Sequence, residues 1–237
     1  LTEEFVAIYR MHPLMPDDYT FYSLETGKQI GAHTLPEVSL SNTREIMEKY
    51  ALRDLFYSFG QQHPGALRLH NFPRHLQFMT KGDGTNIDLA AIDVLRDRER
   101  GIPRYNDFRE MLGLERITDF EDICDNKDWA KEIEEVYEGD IDQVDLMIGA
   151  FAEPLIEGFG FSETAFRIAI LMASRRLKSD RFFTSSFNEE IYTKTGLKWV
   201  RDNSMITVIL RHHPALEPAL RGLETAFQPW NRSTPSR

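Results

Sequence analysis

Apolar positions recur along this chain at intervals of three and four residues, the period of an amphipathic helix. In "EEFVAIYRMHP" Phe5, Ile8, Tyr9 and His12 stand at i, i+3, i+4 and i+7, so one helix would carry all four on one face until Pro13 stops it. Residues 14–40 read as an irregular loop punctuated by Pro16, Gly27, Gly31 and Pro36. A helix follows over 41–60, with Ser41 or Asn42 as cap and Gly60 at its end, and another begins after Pro73. The clearest helix spans 86–101, with Asn86 as cap, arginines late and Gly101 as terminator. Further helices are predicted at 104–113, 126–140, 162–180, 187–194 and 203–212, the second of these acidic and solvated, the third long and largely apolar. Clean two-residue alternation, long repeats and linker-like tracts are all missing. The expectation is one all-α unit over 1–230, with "NRSTPSR" at 231–237 as a disordered tail.

Composition narrows this picture. With 237 residues, 41% hydrophobic and 11% aromatic, the chain can bury a sizeable core. A net charge of −10 without a basic stripe argues against nucleic acid as a partner. The single cysteine, Cys124, excludes an internal disulfide framework and a multi-cysteine zinc site, and its acidic neighbours in "FEDICDN" suppress thiolate chemistry. No apolar run reaches the about 18 residues needed to span a bilayer, and the first residues lack the features of a signal peptide. An intracellular protein, soluble or peripherally associated with membrane, is therefore expected. Because residue 1 is Leu, the chain is also expected to begin partway through a longer protein.

Candidate chemistry is sparse. The chain has no glycine-rich phosphate loop, no G-x-S-x-G elbow and no H-E-x-x-H. His212 and His213 are adjacent, which on a helix turns them about 100° apart and away from a shared metal. Three features stand out. Tyr9 and His12 close an apolar helical face, where such residues are usually core groups with satisfied polar tips. Asp93, Arg96, Asp97, Arg98, Glu99 and Arg100 crowd in directly behind the apolar "LAAI", a density that suggests partly buried charge pairs. Arg175 and Arg176 continue straight out of an apolar helix, where they suit either a fatty-acid carboxylate or simply the helix C-terminus.

Two segments carry a resemblance to the haem-dependent animal peroxidase and cyclooxygenase superfamily, "YRMHPLMPD" (9–17) and "DLAAIDVLRDRERGIPRYNDFREMLGL" (88–114). The first resembles the superfamily's proximal-histidine helix and the second its long helix and Pro-Tyr-Asn turn. Within the superfamily, "LTEEFVAIYRMH", "RDRERGIPRYN", "SETAFRIAILMASRRLKSDRFFT" and "FNEEIYTKTGLKWV" are similar to fatty acid α-dioxygenases, and the similarity runs from residue 1 to about 230.

The resemblance implies an all-α, haem peroxidase-like domain, incomplete at its N-terminus, of which residues 1–230 are the C-terminal part. It implies His12 as the proximal ligand of a haem b iron, with Asn71 beside it, Tyr9 as a radical-forming tyrosine and Arg176 as the anchor of a fatty-acid carboxylate. The implied reaction adds O2 at C2 of a long-chain fatty acid after activation by peroxide. A mid-chain oxygenase, a plain peroxidase, or an inactive fragment lacking the distal haem half are the alternatives. The distal histidine and any calcium loop would lie upstream of this chain. A peripheral membrane contact would suit a lipid substrate, although no basic amphipathic helix here demonstrates it.

Overall fold

The computed structural model describes residues 2–232. It is mainly helical, as expected, with two short antiparallel hairpins. The chain divides into two compact units, each built from two stretches. One takes the residues up to Met15 with Gly65–Asp180, and the other Pro16–Pro64 with the chain from Arg181 on.

The first unit is helical around one core. Helices Glu3–Ile8, Leu89–Glu99, Tyr105–Met111, Lys127–Val136, Leu146–Ala152 and Glu163–Leu177 surround Ile8, Tyr105, Ile123, Val144, Leu146 and Ile168, all at most 3% exposed. Asn126 caps Lys127–Val136 by accepting from the backbone N–H groups of Asp128 and Trp129, whereas Asn42, expected as a cap, precedes Thr43–Lys49 without a side-chain cap bond. On Leu89–Glu99 the cap is Asp88 instead of Asn86, because Asn86 and Ile87 pair with Met79 and Thr80 as a short strand. Gly149 lets helix Leu146–Ala152 lie flat on Tyr105: a Cβ there would sit 2.2 Å from the ring. Burying a Tyr and an Arg in this core needs internal partners. Arg109 reaches Glu153 at 3.0 Å, Thr164 at 3.1 Å and the Tyr105 hydroxyl at 3.4 Å. A second buried carboxylate, Asp145, accepts from Arg98 through both its oxygens, from Arg104 and from the Tyr137 hydroxyl.

The second unit contains the main departure from the sequence reading. Within the expected loop, Asp18–Tyr22 and Gln29–Thr34 pair antiparallel, with Asp18 opposite Thr34 and a bulge after Phe21. Alternation was invisible because only Phe21 of these eleven positions is fully buried. Phe21 joins Ile46, Tyr50 and Leu55 in a small core, and Gly31 passes so close to the Tyr50 hydroxyl that a Cβ would lie 2.2 Å from it. The helix expected over 41–60 is broken at Tyr50–Ala51 into Thr43–Lys49 and Leu52–Gln61. Helix Glu189–Asp202 is longer than expected and is interrupted at Thr193, whose φ is 61°. A second core gathers Tyr57, Ile209, Leu216, Leu220 and Trp230. Of the tail expected from 231, Asn231 donates to the Ala219 carbonyl, while 233–237 lie outside the described residues.

Candidate functional site

The helix that opens the chain ends sooner than its apolar spacing suggests. It covers Glu3–Ile8, Tyr9 is its C-cap, and His12 starts a separate 3-10 turn, His12–Leu14. Pro13 bars any helix that runs through it, since it has no N–H for the ladder and its ring would meet the carbonyl of residue i−4, Tyr9. Tyr9 and His12 therefore leave the buried face. Ala7 and Ile8 fill the core at 1% and 0%, while Tyr9 stacks on Phe5 with ring centroids 4.7 Å apart and stays 49% exposed. No hydrogen bond to the Tyr9 hydroxyl is formed among the described residues.

His12 is half-buried. Its ring lies 5.2 Å from Phe72, and its Nδ1 is fully enclosed with no hydrogen-bond partner. That nitrogen faces Asp93 Oδ2 at 3.8 Å, too long for a hydrogen bond, and Oδ2 is likewise buried and unpartnered. Arg10 holds the other oxygen, Oδ1, at 3.1 Å. Asp93 and Asp97, one turn apart on Leu89–Glu99, are 3% and 5% exposed. Burial lowers the His12 pKa, against the pull of Asp93, and so favours the neutral imidazole at pH 7. Burial raises Asp93, opposed chiefly by Arg10. Asp97 is pushed up to about 6 by burial, with the neighbouring Asp93 and Asp145 charges adding to it.

A stability prediction follows from Asp97. Its folded pKa lies above the unfolded value near 3.8, so the native state holds the extra proton between about pH 4 and 6. Stability is greatest below that window, falls as the pH rises through it and stays low above it. Asp97→Asn should therefore stabilise the protein at pH 8 by on the order of 1–3 kcal/mol and have little effect at pH 4. Thermal melts of both proteins at the two pH values test this, and an equal effect at both would sink it.

The other expected residues are placed as follows. Asn71 is exposed, and its side-chain amide donates to the Ala66 carbonyl at 3.0 Å; its neighbour Phe72, not Asn71, lies against His12. Arg176 lies on the exposed last turn of Glu163–Leu177, a helix that packs on Glu3–Ile8, and its guanidinium has no ion-pair partner among the described residues. Arg175 instead lines a small pocket with Glu4, Phe108, Ile168, Leu171 and Met172. The charge-dense helix is paired as its composition suggests, but with partners from elsewhere in the chain: Arg96 and Arg100 with Glu3, and Arg98 with Asp145. Asp93 was visible within that charge run, but its position opposite His12 was not, since 81 residues separate them.

Comparison with known proteins gives the context. The family model for animal haem peroxidases matches residues 1–221. The chain belongs to the animal haem peroxidase family. Within that family it is 42% identical to α-dioxygenase PIOX of Pisum sativum and 40% identical to α-dioxygenase 1 of Arabidopsis thaliana, in each case over 98% of this chain and 38% of the relative. The crystal structure of a tyrosine-to-phenylalanine variant of Oryza sativa fatty acid α-dioxygenase with palmitic acid superposes with a TM-score of 0.89 at 40% identity, covering 99% of this chain and 41% of that one. The chain thus spans about two fifths of the length of these relatives. No helix among the described residues is long and apolar enough to cross a membrane.

The residues at His12 fit the haem that the family implies. An imidazole whose pKa burial lowers, with one nitrogen enclosed opposite a carboxylate and the side chain still partly exposed, has the donor arrangement of a histidine that ligates iron through its second nitrogen.

Proposed function

We propose that the protein is a haem-dependent dioxygenase adding O2 at C2 of long-chain fatty acids to give 2-hydroperoxy acids, with this chain as the C-terminal part of its catalytic domain. One observation carries the reading: a half-exposed phenol, Tyr9, stands three residues before an imidazole whose enclosed nitrogen faces a carboxylate. It is supported by the similarity of the chain to an α-dioxygenase solved with palmitic acid.

In this reading His12 holds haem b through the nitrogen turned away from Asp93. The haem, when bound, supplies one-electron oxidising power, with peroxide as the activating oxidant. Tyr9, oxidised to the neutral phenoxyl, takes a hydrogen atom from C2: the C2–H bond breaks and the phenol O–H forms. O2 adds to the carbon radical, and the peroxyl recovers the hydrogen from Tyr9, leaving the hydroperoxide and the phenoxyl. Arg176 binds the carboxylate. An anchor at that end brings C2, rather than a mid-chain carbon, to the phenol, because binding energy spent on the fixed end orients the reacting one. The guanidinium is exposed and has no ion-pair partner among the described residues, which leaves it available for that role.

The test is oxygen uptake by the haem-loaded protein with palmitate, the product being identified by mass spectrometry. A 2-hydroperoxide or the aldehyde one carbon shorter supports the reading. Peroxide-dependent oxidation of a small phenol with no uptake on palmitate would replace it with a peroxidase. Arg176→Ala should raise KM for long-chain fatty acids roughly ten- to hundredfold with a smaller change in kcat, as expected for lost charge-assisted hydrogen bonds. An unchanged KM would remove the anchor.

A further inference from the structure

Hydrogen transfer asks more of Tyr9 than a reachable hydroxyl. In a neutral phenoxyl the half-filled orbital on oxygen stands perpendicular to the ring, so the plane of the ring sets the direction from which a C–H bond must approach. Nothing covalent fixes that plane, because a tyrosine ring turns about its Cβ–Cγ bond with only broad, two-fold preferences. Among the described residues no hydrogen bond holds the hydroxyl either. The ring plane is therefore set by what the ring touches.

That contact is Phe5. The two rings stack nearly parallel, with centroids 4.7 Å apart and planes inclined by 19°, as in an offset aromatic pair. Phe5 is itself held in place. It packs on the buried cluster that contains Ala7 and Ile8, and its helix is tied at the start by Glu3, which pairs with Arg96 and Arg100. Tyr9 follows one turn later, and its N–H donates to the Phe5 carbonyl at 2.9 Å, which fixes the offset between the two side chains. One face of the phenol is thus covered, and the half-exposed remainder is left to a substrate. We infer that Phe5 is the positioning residue of Tyr9, holding the plane of the phenol so that its open face, and one lobe of the half-filled orbital with it, is presented to C2. This role rests on the proposed one of Tyr9 as the radical-forming phenol and goes beyond it by naming the group that orients the radical. A flat partner suits the task, since an aliphatic side chain would fill the space without offering a plane to align with. A phenyl ring is also much harder to oxidise than a phenol, so the radical stays on Tyr9.

The experiment uses the haem-loaded full-length protein, treated with peroxide and frozen, and reads the electron paramagnetic resonance of the tyrosyl radical. Splitting by the two β-methylene protons depends on the angle of the ring about Cβ–Cγ, so it reports orientation and not the amount of radical. The parent should give one well-defined splitting that disappears in Tyr9→Phe. Phe5→Leu should shift or smear that splitting and lower kcat on palmitate roughly ten- to hundredfold, with KM unchanged because the carboxylate anchor is untouched. Peroxide-dependent oxidation of a small phenol, which bypasses Tyr9, should be retained. An unaltered splitting or an unaltered kcat in Phe5→Leu would overturn the inference. Should Phe5→Leu not fold, Phe5→Met, which packs flexibly but has no flat face, is read in the same way. In the parent itself, a spread of ring angles in place of a single one would refute the inference. A peroxide-treated parent without a radical that Tyr9→Phe removes would overturn the reading of Tyr9 itself, so the two failures are distinguishable.

Discussion

Replacing Tyr9 by phenylalanine is expected to abolish oxygen uptake on palmitate, by about 10³-fold or more, while leaving the haem spectrum and the fold intact. The structure separates the two effects. The Tyr9 hydroxyl makes no hydrogen bond among the described residues, and the ring is 49% exposed and held by its stack on Phe5, which phenylalanine preserves. Loss of the hydroxyl should therefore change stability by no more than about 0.5 kcal/mol, as for surface substitutions generally. The proposed chemistry, in contrast, needs that O–H bond twice in each turnover, once to form and once to break. Peroxide-dependent oxidation of a small phenol is the internal control, because it uses the iron without Tyr9. Uptake that survives alongside this control would remove Tyr9 from the mechanism.

The largest effect on stability is expected at Arg109. It and Glu153 are each 8% exposed, and the guanidinium also serves Thr164, the Tyr105 hydroxyl and the Glu115 carbonyl. Arg109→Leu would leave Glu153 buried without its cation and should cost about 3–5 kcal/mol. Replacing both, as Arg109→Leu with Glu153→Leu, removes the stranded charge as well, and most of the loss should return. Urea unfolding followed by circular dichroism measures both. A single-variant loss under about 1 kcal/mol would mean that water reaches the pair and that the core does not depend on it. The exposed pairs, such as Arg167 with Glu163, should contribute a small fraction of this.

How far the sequence could be read depended on the range of the forces involved. Helices such as Lys127–Val136 and Glu163–Leu177 were legible because their period, caps and end charges are set by residues within a few positions. The hairpin at 18–34 was not, since its strands bury one aromatic and leave the rest exposed or only partly covered, with no alternation to detect. Tyr9, His12 and Arg176 were singled out by motif and resemblance, and the family they pointed to is the one that the comparisons give.

By itself, then, the sequence determined the helical class, most helix positions and the residues worth testing, because local periodicity and long matched segments are encoded position by position. The tertiary structure alone decided that Arg109 and Glu153 are a buried pair 44 positions apart and that Asp93 is the group facing His12. Each of these turns on which distant side chain arrives at a buried atom. The packing of helices against one another settles that, and no local pattern records it.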